Sequence, residues 1–147
     1  MGVVALAWRV RGGGLLISTL VYESQAYVDD AVENLLAFTL PSTQIVVHLS
    51  AGSKATAAAA AWASRARVHV NARPETTCSA CGMVTRQHAA NVRYAARRNV
   101  TFDHVALFAS TCRLFAGGGF FERHVATFNF SAAAEPNWAQ AALRGAA

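Results

Sequence analysis

Three short apolar runs, residues 15–22, 44–49 and 102–109, and a shorter strand-like stretch, 67–71, are separated by three helical segments. Runs of this length, rich in Val, Ile and Leu and only sparsely polar, are what strands covered on both faces require. Between them, residues 27–40 place Val28, Ala31, Val32, Leu35 and Phe38 on one helical face. Residues 53–64 are Ala-rich behind Ser53, a good N-cap, and 83–98 form the third helix, ended by Asn99. Pro41 stops the first helix because the residue before a proline avoids the helical region. Asp29, Asp30 and Glu33 stand early in that helix, where acids complement its dipole. The alternation of strand and helix predicts an α/β fold: a Rossmann-like three-layer α/β/α sandwich on a mostly parallel sheet, with right-handed crossovers.

The 147 residues suffice for one domain with a sizeable core. We divide them into a leader (1–14), the α/β domain (15–130) and an Ala-rich, low-complexity tail (131–147). Past Phe115, Gly117, Gly118 and Gly119 make a hinge or turn, and 120–130 read as a short helix followed by a strand. The apolar runs fall far short of the ~20 residues a membrane-crossing helix needs. The opening ten residues lack both a basic start and a clear cleavage site. Twelve of the thirteen basic residues are Arg, Lys54 being the only lysine, and the net charge is +5. Arginine forks suit phosphate and carboxylate, although the Ala- and Gly-rich composition also fits a plain coding bias.

In an open parallel sheet, ligands bind just beyond the carboxyl ends of the strands. The polar residues there are Tyr22, Glu23 and Ser24 after the first strand, Ser50 and Ser53 after the second, Arg73 after the third, and Ser110, Thr111 and Arg113 after the fourth. Glycine spacings of dinucleotide and P-loop sites are absent, as are a nucleophile elbow, a His-Glu-x-x-His and a paired-carboxylate motif. No catalytic residue is assigned. His48 and His69 alternate with apolar neighbours inside strands and read as hydrogen-bonded structural groups; His88 faces the sheet edge or simply packs. Cys78, Cys81 and Cys112 lack a fourth zinc ligand, and a loop separates the Cys-x-x-Cys from the preceding strand. They are therefore expected to be neither a metal site nor a redox pair. Arg86, Arg93 and Arg97 form a stripe on the third helix without interleaved aromatics, which disfavours nucleic acid. Asn99-Val100-Thr101 and Asn129-Phe130-Ser131 are glycosylation triplets if the chain enters a secretory lumen.

Three stretches together resemble a known family. Val47-His48-Leu49-Ser50-Ala51-Gly52-Ser53-Lys54 follows a strand-end turn, Cys81-Gly82-Met83 through His88 opens a helix, and Val105 to Phe115 carries Ser110 and Leu114 in the rhythm of a further strand end. The layout is similar to the N-terminal half of GT-A-type glycosyltransferases, most nearly the core-2/I-branching N-acetylglucosaminyltransferase group. The resemblance spans residues 15–130. It implies a GT-A-like half-domain binding a nucleotide-sugar, a UDP-sugar for this group, with a glycan or glycoprotein acceptor in the Golgi or secretory lumen. Hexosyl or N-acetylglucosaminyl transfer would be the reaction if the chain is active alone. An acid stands in the family where this chain has Ser50, and the Asp-x-Asp that holds a metal in most GT-A enzymes is missing, so no cofactor or metal is expected. The alternative is a non-catalytic Rossmann-like module that meets an anionic partner through Arg86, Arg93 and Arg97.

Overall fold

A computed structural model describes residues 4–6, 14–21, 24–50, 59–72, 83–109 and 111–127. The elements run β1 (Val4–Leu6), β2 (Leu15–Val21), α1 (Gln25–Phe38), β3 (Gln44–Leu49), α2 (Ala59–Ala63), β4 (Val68–Asn71), α3 (Met83–Arg97), β5 (His104–Ala109) and α4 (Phe120–Thr127). They build one sheet in the order β1-β5-β2-β3-β4. The four strands foreseen from the apolar runs are parallel neighbours, with Ile17 opposite both Ile45 and Ala106, and Val46 opposite His69. The sheet is thus mostly parallel in a Rossmann-like α/β fold. Val4–Leu6, within the stretch assigned to the leader, is an antiparallel edge strand on β5.

Strands β2, β3 and β4 step one way across the sheet, and β5 then returns to the far side of β2. Right-handed crossovers carry the connecting helix to the opposite face when the direction reverses. The packing follows. On one face, Leu15, Ile17, Val21, Ile45, Val47, Leu49, Val68, Ala106 and Phe108 pack with Val28, Val32 and Leu35 of α1, Trp62 of α2 and Val125 of α4. On the other, Leu16, Val46 and Val105 meet Ala95 of α3 together with Phe102.

Helix α1 begins at Gln25, so Asp29 and Asp30 lie past its first turn, contrary to the dipole placement expected of them. Their carboxylates are used in tertiary contacts. Trp62 Nε1 and Gln25 Nε2 both donate to Asp29 Oδ1 at 2.8 Å, and Arg113 Nε donates to Asp30 Oδ2 at 2.9 Å. At the other end, Arg67 donates to the carbonyl of Leu36, a group the helix terminus leaves without an intrahelical partner, and to that of Leu40 just beyond the helix. Glu122 Oε1 accepts from Leu40 N and Thr43 Oγ1, fastening α4 to the same corner. Helix α3 closes with the Val100 N–H on Ala95 O (3.1 Å) and the Asn99 N–H on Ala96 O (3.1 Å), a paired turn that puts Asn99 at φ 55°.

Candidate functional site

Beneath α3 the sheet is not apolar. Strand β2 contributes Ser18, β3 contributes His48, β4 contributes Asn71, and α3 lowers Gln87, His88 and Asn91 onto them. His48 and Asn71 are direct neighbours across the β3–β4 pair. The helical residues sit at positions i, i+1 and i+4, close enough to share one face. All six are buried, as is Ser50 just past the end of β3.

Four of these side chains form a directed chain of hydrogen bonds. Asn91 Nδ2 lies 3.3 Å from Thr19 O and 3.4 Å from Val46 O; carbonyls only accept, so the amide nitrogen must face the strands. The same nitrogen donates to Ser18 Oγ at 2.9 Å. Ser18 then has its single hydrogen to give to His88 Nδ1, 2.8 Å away. On the other side Asn71 Nδ2 donates to Asn91 Oδ1 at 3.1 Å and stands 3.5 Å from His48 Nδ1. Burial, and secondarily the neighbouring His48, push His88 down to about 4. The imidazole is therefore neutral at neutral pH and accepts from Ser18. Since Ser18 is fully buried, its hydroxyl is a strut of this lattice and not a nucleophile offered to solvent.

Toward the carboxyl ends of the strands the matching stops. Gln87 stands one turn nearer the start of α3 than Asn91, and α3 runs opposite to the parallel strands. Among the described residues neither Gln87 Oε1 nor Nε2 finds a hydrogen-bond partner, although the residue is fully buried. Ser50 Oγ is in the same condition at the same edge. A buried polar group without a partner costs on the order of 1–3 kcal/mol, so the described residues by themselves leave this edge less well matched than the lattice around Asn91.

The sheet register collects the expected ligand-side residues that are described. Val21 pairs with Leu49 and Leu20 with Ala109, so the residues that follow these strands, Ser24, Ser50 and Thr111, emerge along one edge. The Ser50 N–H also donates to Val21 O at 3.1 Å. Ser24 caps α1 without a side-chain hydrogen bond and is exposed, as is Thr111. Arg113 is turned away onto α1. It bonds Asp30 and lies with its guanidinium carbon 4.8 Å from the Tyr27 ring centroid. Its neighbour Leu114 exchanges two hydrogen bonds with the Asn34 amide, so residues 113–114 are strapped to that helix. Tyr22, Glu23, Ser53, Arg73 and Ser110 lie outside the described residues, as do Cys78 and Cys81. Cys112 is a free thiol packed against the core.

His69 behaves as a structural histidine, with Nε2 2.9 Å from Gln44 Oε1. Burial, then Arg98, lower its pKa. Ser18, Gln87 and Asn91 have no place among the residues that the sequence puts at the strand ends, where Asn71 does stand. A signal was present: polar residues interrupt three consecutive strands, and Gln87, His88 and Asn91 recur at helical spacing. Strand and helix had to be superposed before these two patterns became one cluster. Among the described residues no group of three or more His, Cys, Asp or Glu side chains is placed to hold a metal ion, and no helix is long and apolar enough to cross a membrane. No protein-family model matches the chain, and no curated protein sequence matches it.

Proposed function

We propose that this chain is a GT-A-like half-domain that binds a nucleotide-sugar donor, of the UDP-sugar kind, at the carboxyl edge of its sheet. The observation that carries the reading is the reversal of strand order at β2 and β5. In open α/β sheets such a reversal opens a crevice between the loops that follow the two strands, and ligands bind there. Ser24, Ser50 and Thr111 flank that edge, with the buried Gln87 behind it. Base and ribose would take hydrogen bonds from the loops after β2 and β3, and the diphosphate would lie near the loop after β5.

The reading is metal-free. Hard divalent cations need carboxylates, and Thr111 and Cys112 offer none after β5. Diphosphate charge would fall to Lys54 or Arg73, since Arg113 is engaged by Asp30. A half-site also leaves one side of the ligand in water, so affinity is weak. The activity that accompanies such a donor site is transfer of a hexosyl or N-acetylglucosaminyl group to a glycan or glycoprotein in the Golgi or secretory lumen.

Calorimetry or ligand-observed NMR on the full chain with UDP and UDP-N-acetylglucosamine tests this. Weak binding that is unchanged by Mn²⁺ is expected. Binding that appears only with Mn²⁺ overturns the metal-free assignment, and no binding at millimolar ligand overturns the nucleotide reading. The second case would favour an anionic partner on α3, where Arg86 and Arg97 are exposed and Arg93 is half-buried.

A further inference from the structure

We infer that Asn99 is an acceptor for N-linked glycan, carried on the edge of the domain opposite the candidate site. Two independent observations meet there. The triplet Asn99-Val100-Thr101 supplies the carboxamide and the hydroxyl two residues on that lumenal glycosylation requires. The fold then leaves both side chains outside: Asn99 and Thr101 are exposed, and among the described residues no hydrogen bond holds the Asn99 carboxamide.

The local backbone explains why an asparagine can stand here and why a glycan on it is tolerated. Position 99 terminates α3 at φ 55°, a conformation that asparagine adopts more readily than most residues. Val100 is half-buried against the core and Phe102, 1% exposed, anchors the chain before β5, whereas Asn99 itself is exposed. A sugar at Asn99 therefore displaces no packed side chain. Helix α3 runs against the parallel strands, so its last turn lies at their amino ends. At ~3.3 Å per strand residue, the six residues of β5 put about 20 Å between that edge and the carboxyl edge. A glycan here leaves the proposed ligand crevice open.

The reaction forms a bond from Asn99 Nδ2 to the anomeric carbon of an oligosaccharide carried on a lipid diphosphate. The carbon–oxygen bond to the diphosphate breaks, the lipid diphosphate leaves, and the amide proton is lost. Occupancy in the native cell rests on the secretory placement proposed above; the acceptor property of Asn99 does not.

The test expresses the full chain in eukaryotic cells twice, once as it stands and once behind a cleavable secretion signal. Each product is then digested with an amidase specific for N-glycans, and position 99 is mapped by mass spectrometry. The signal-bearing chain is expected to carry glycan at position 99 and to lose it completely in both Asn99→Gln and Thr101→Ala. Thr101→Ala retains the asparagine at the helix end, so loss of glycan in it reports the triplet and not a disturbed turn. An unmodified position 99 in the lumenal chain overturns the inference. Modification only when the signal is added upholds the acceptor site and shows that residues 1–147 do not by themselves direct the chain to the lumen.

Discussion

The two faces of this sheet are held by different physics. The face under α1, α2 and α4 is predominantly apolar along β2, β3, β4 and β5, with Phe108 and Phe121 meeting edge to face at 5.3 Å. Its cohesion scales with buried area and tolerates modest changes of shape. The face under α3 has a smaller apolar cluster near the amino ends of the strands and a polar lattice beyond it. There, stability depends on each donor finding its acceptor, and a single loss strands its partner in low dielectric. The apolar face can hold the domain together without prescribing how it does so. The polar face positions α3 in one register, and leaves Gln87 and Ser50 without partners among the described residues at the carboxyl edge of the sheet.

The largest effect should come from the apolar side. Phe108→Ala removes a ring that is 1% exposed and breaks its contact with Phe121. A loss of about 3–5 kcal/mol in denaturant unfolding is expected; under about 1 kcal/mol would mean that this face is not the main source of cohesion.

Acid should act on the other face. Folded His88 titrates near 4, below its ordinary 6.5, so between those values the unfolded chain holds the extra proton. The stabilisation is therefore complete above pH 6.5 and is lost as pH falls toward 4, by about 3 kcal/mol. His69 shifts in the same direction, so the fraction belonging to His88 is read by repeating the titration in His88→Gln, which should flatten most of the slope. An unchanged slope would remove His88 from the lattice.

The smallest effect has the opposite sign. Gln87→Met keeps the length of the side chain and removes an amide that has no partner among the described residues, so it should stabilise the fold by about 1 kcal/mol. If Gln87→Met destabilises instead, the amide is matched in solution and the contrast between the inner and outer parts of the polar face collapses.

The four parallel strands, the helices between them and the short helix from Phe120 were legible because hydrophobic period is a local property of the chain. Residues 15–22 read as a strand and form β2 over Leu15–Val21; the stop at Pro41 and the end at Asn99 were also local. The short edge strand Val4–Leu6 was not foreseen, since its pairing partner lies a hundred residues away. Charge was misleading for the same reason. Asp30 and Arg113 looked like a dipole partner and a ligand group, yet 83 positions apart in sequence they bond each other. The sequence alone determined which segments must be buried on both sides, because burying apolar surface needs no knowledge of the partner. Only the tertiary structure decided what Ser18, Asn71, Gln87, His88 and Asn91 do. A hydrogen bond is directional and short, so a polar side chain in a strand has no defined role until the fold brings its partner to it.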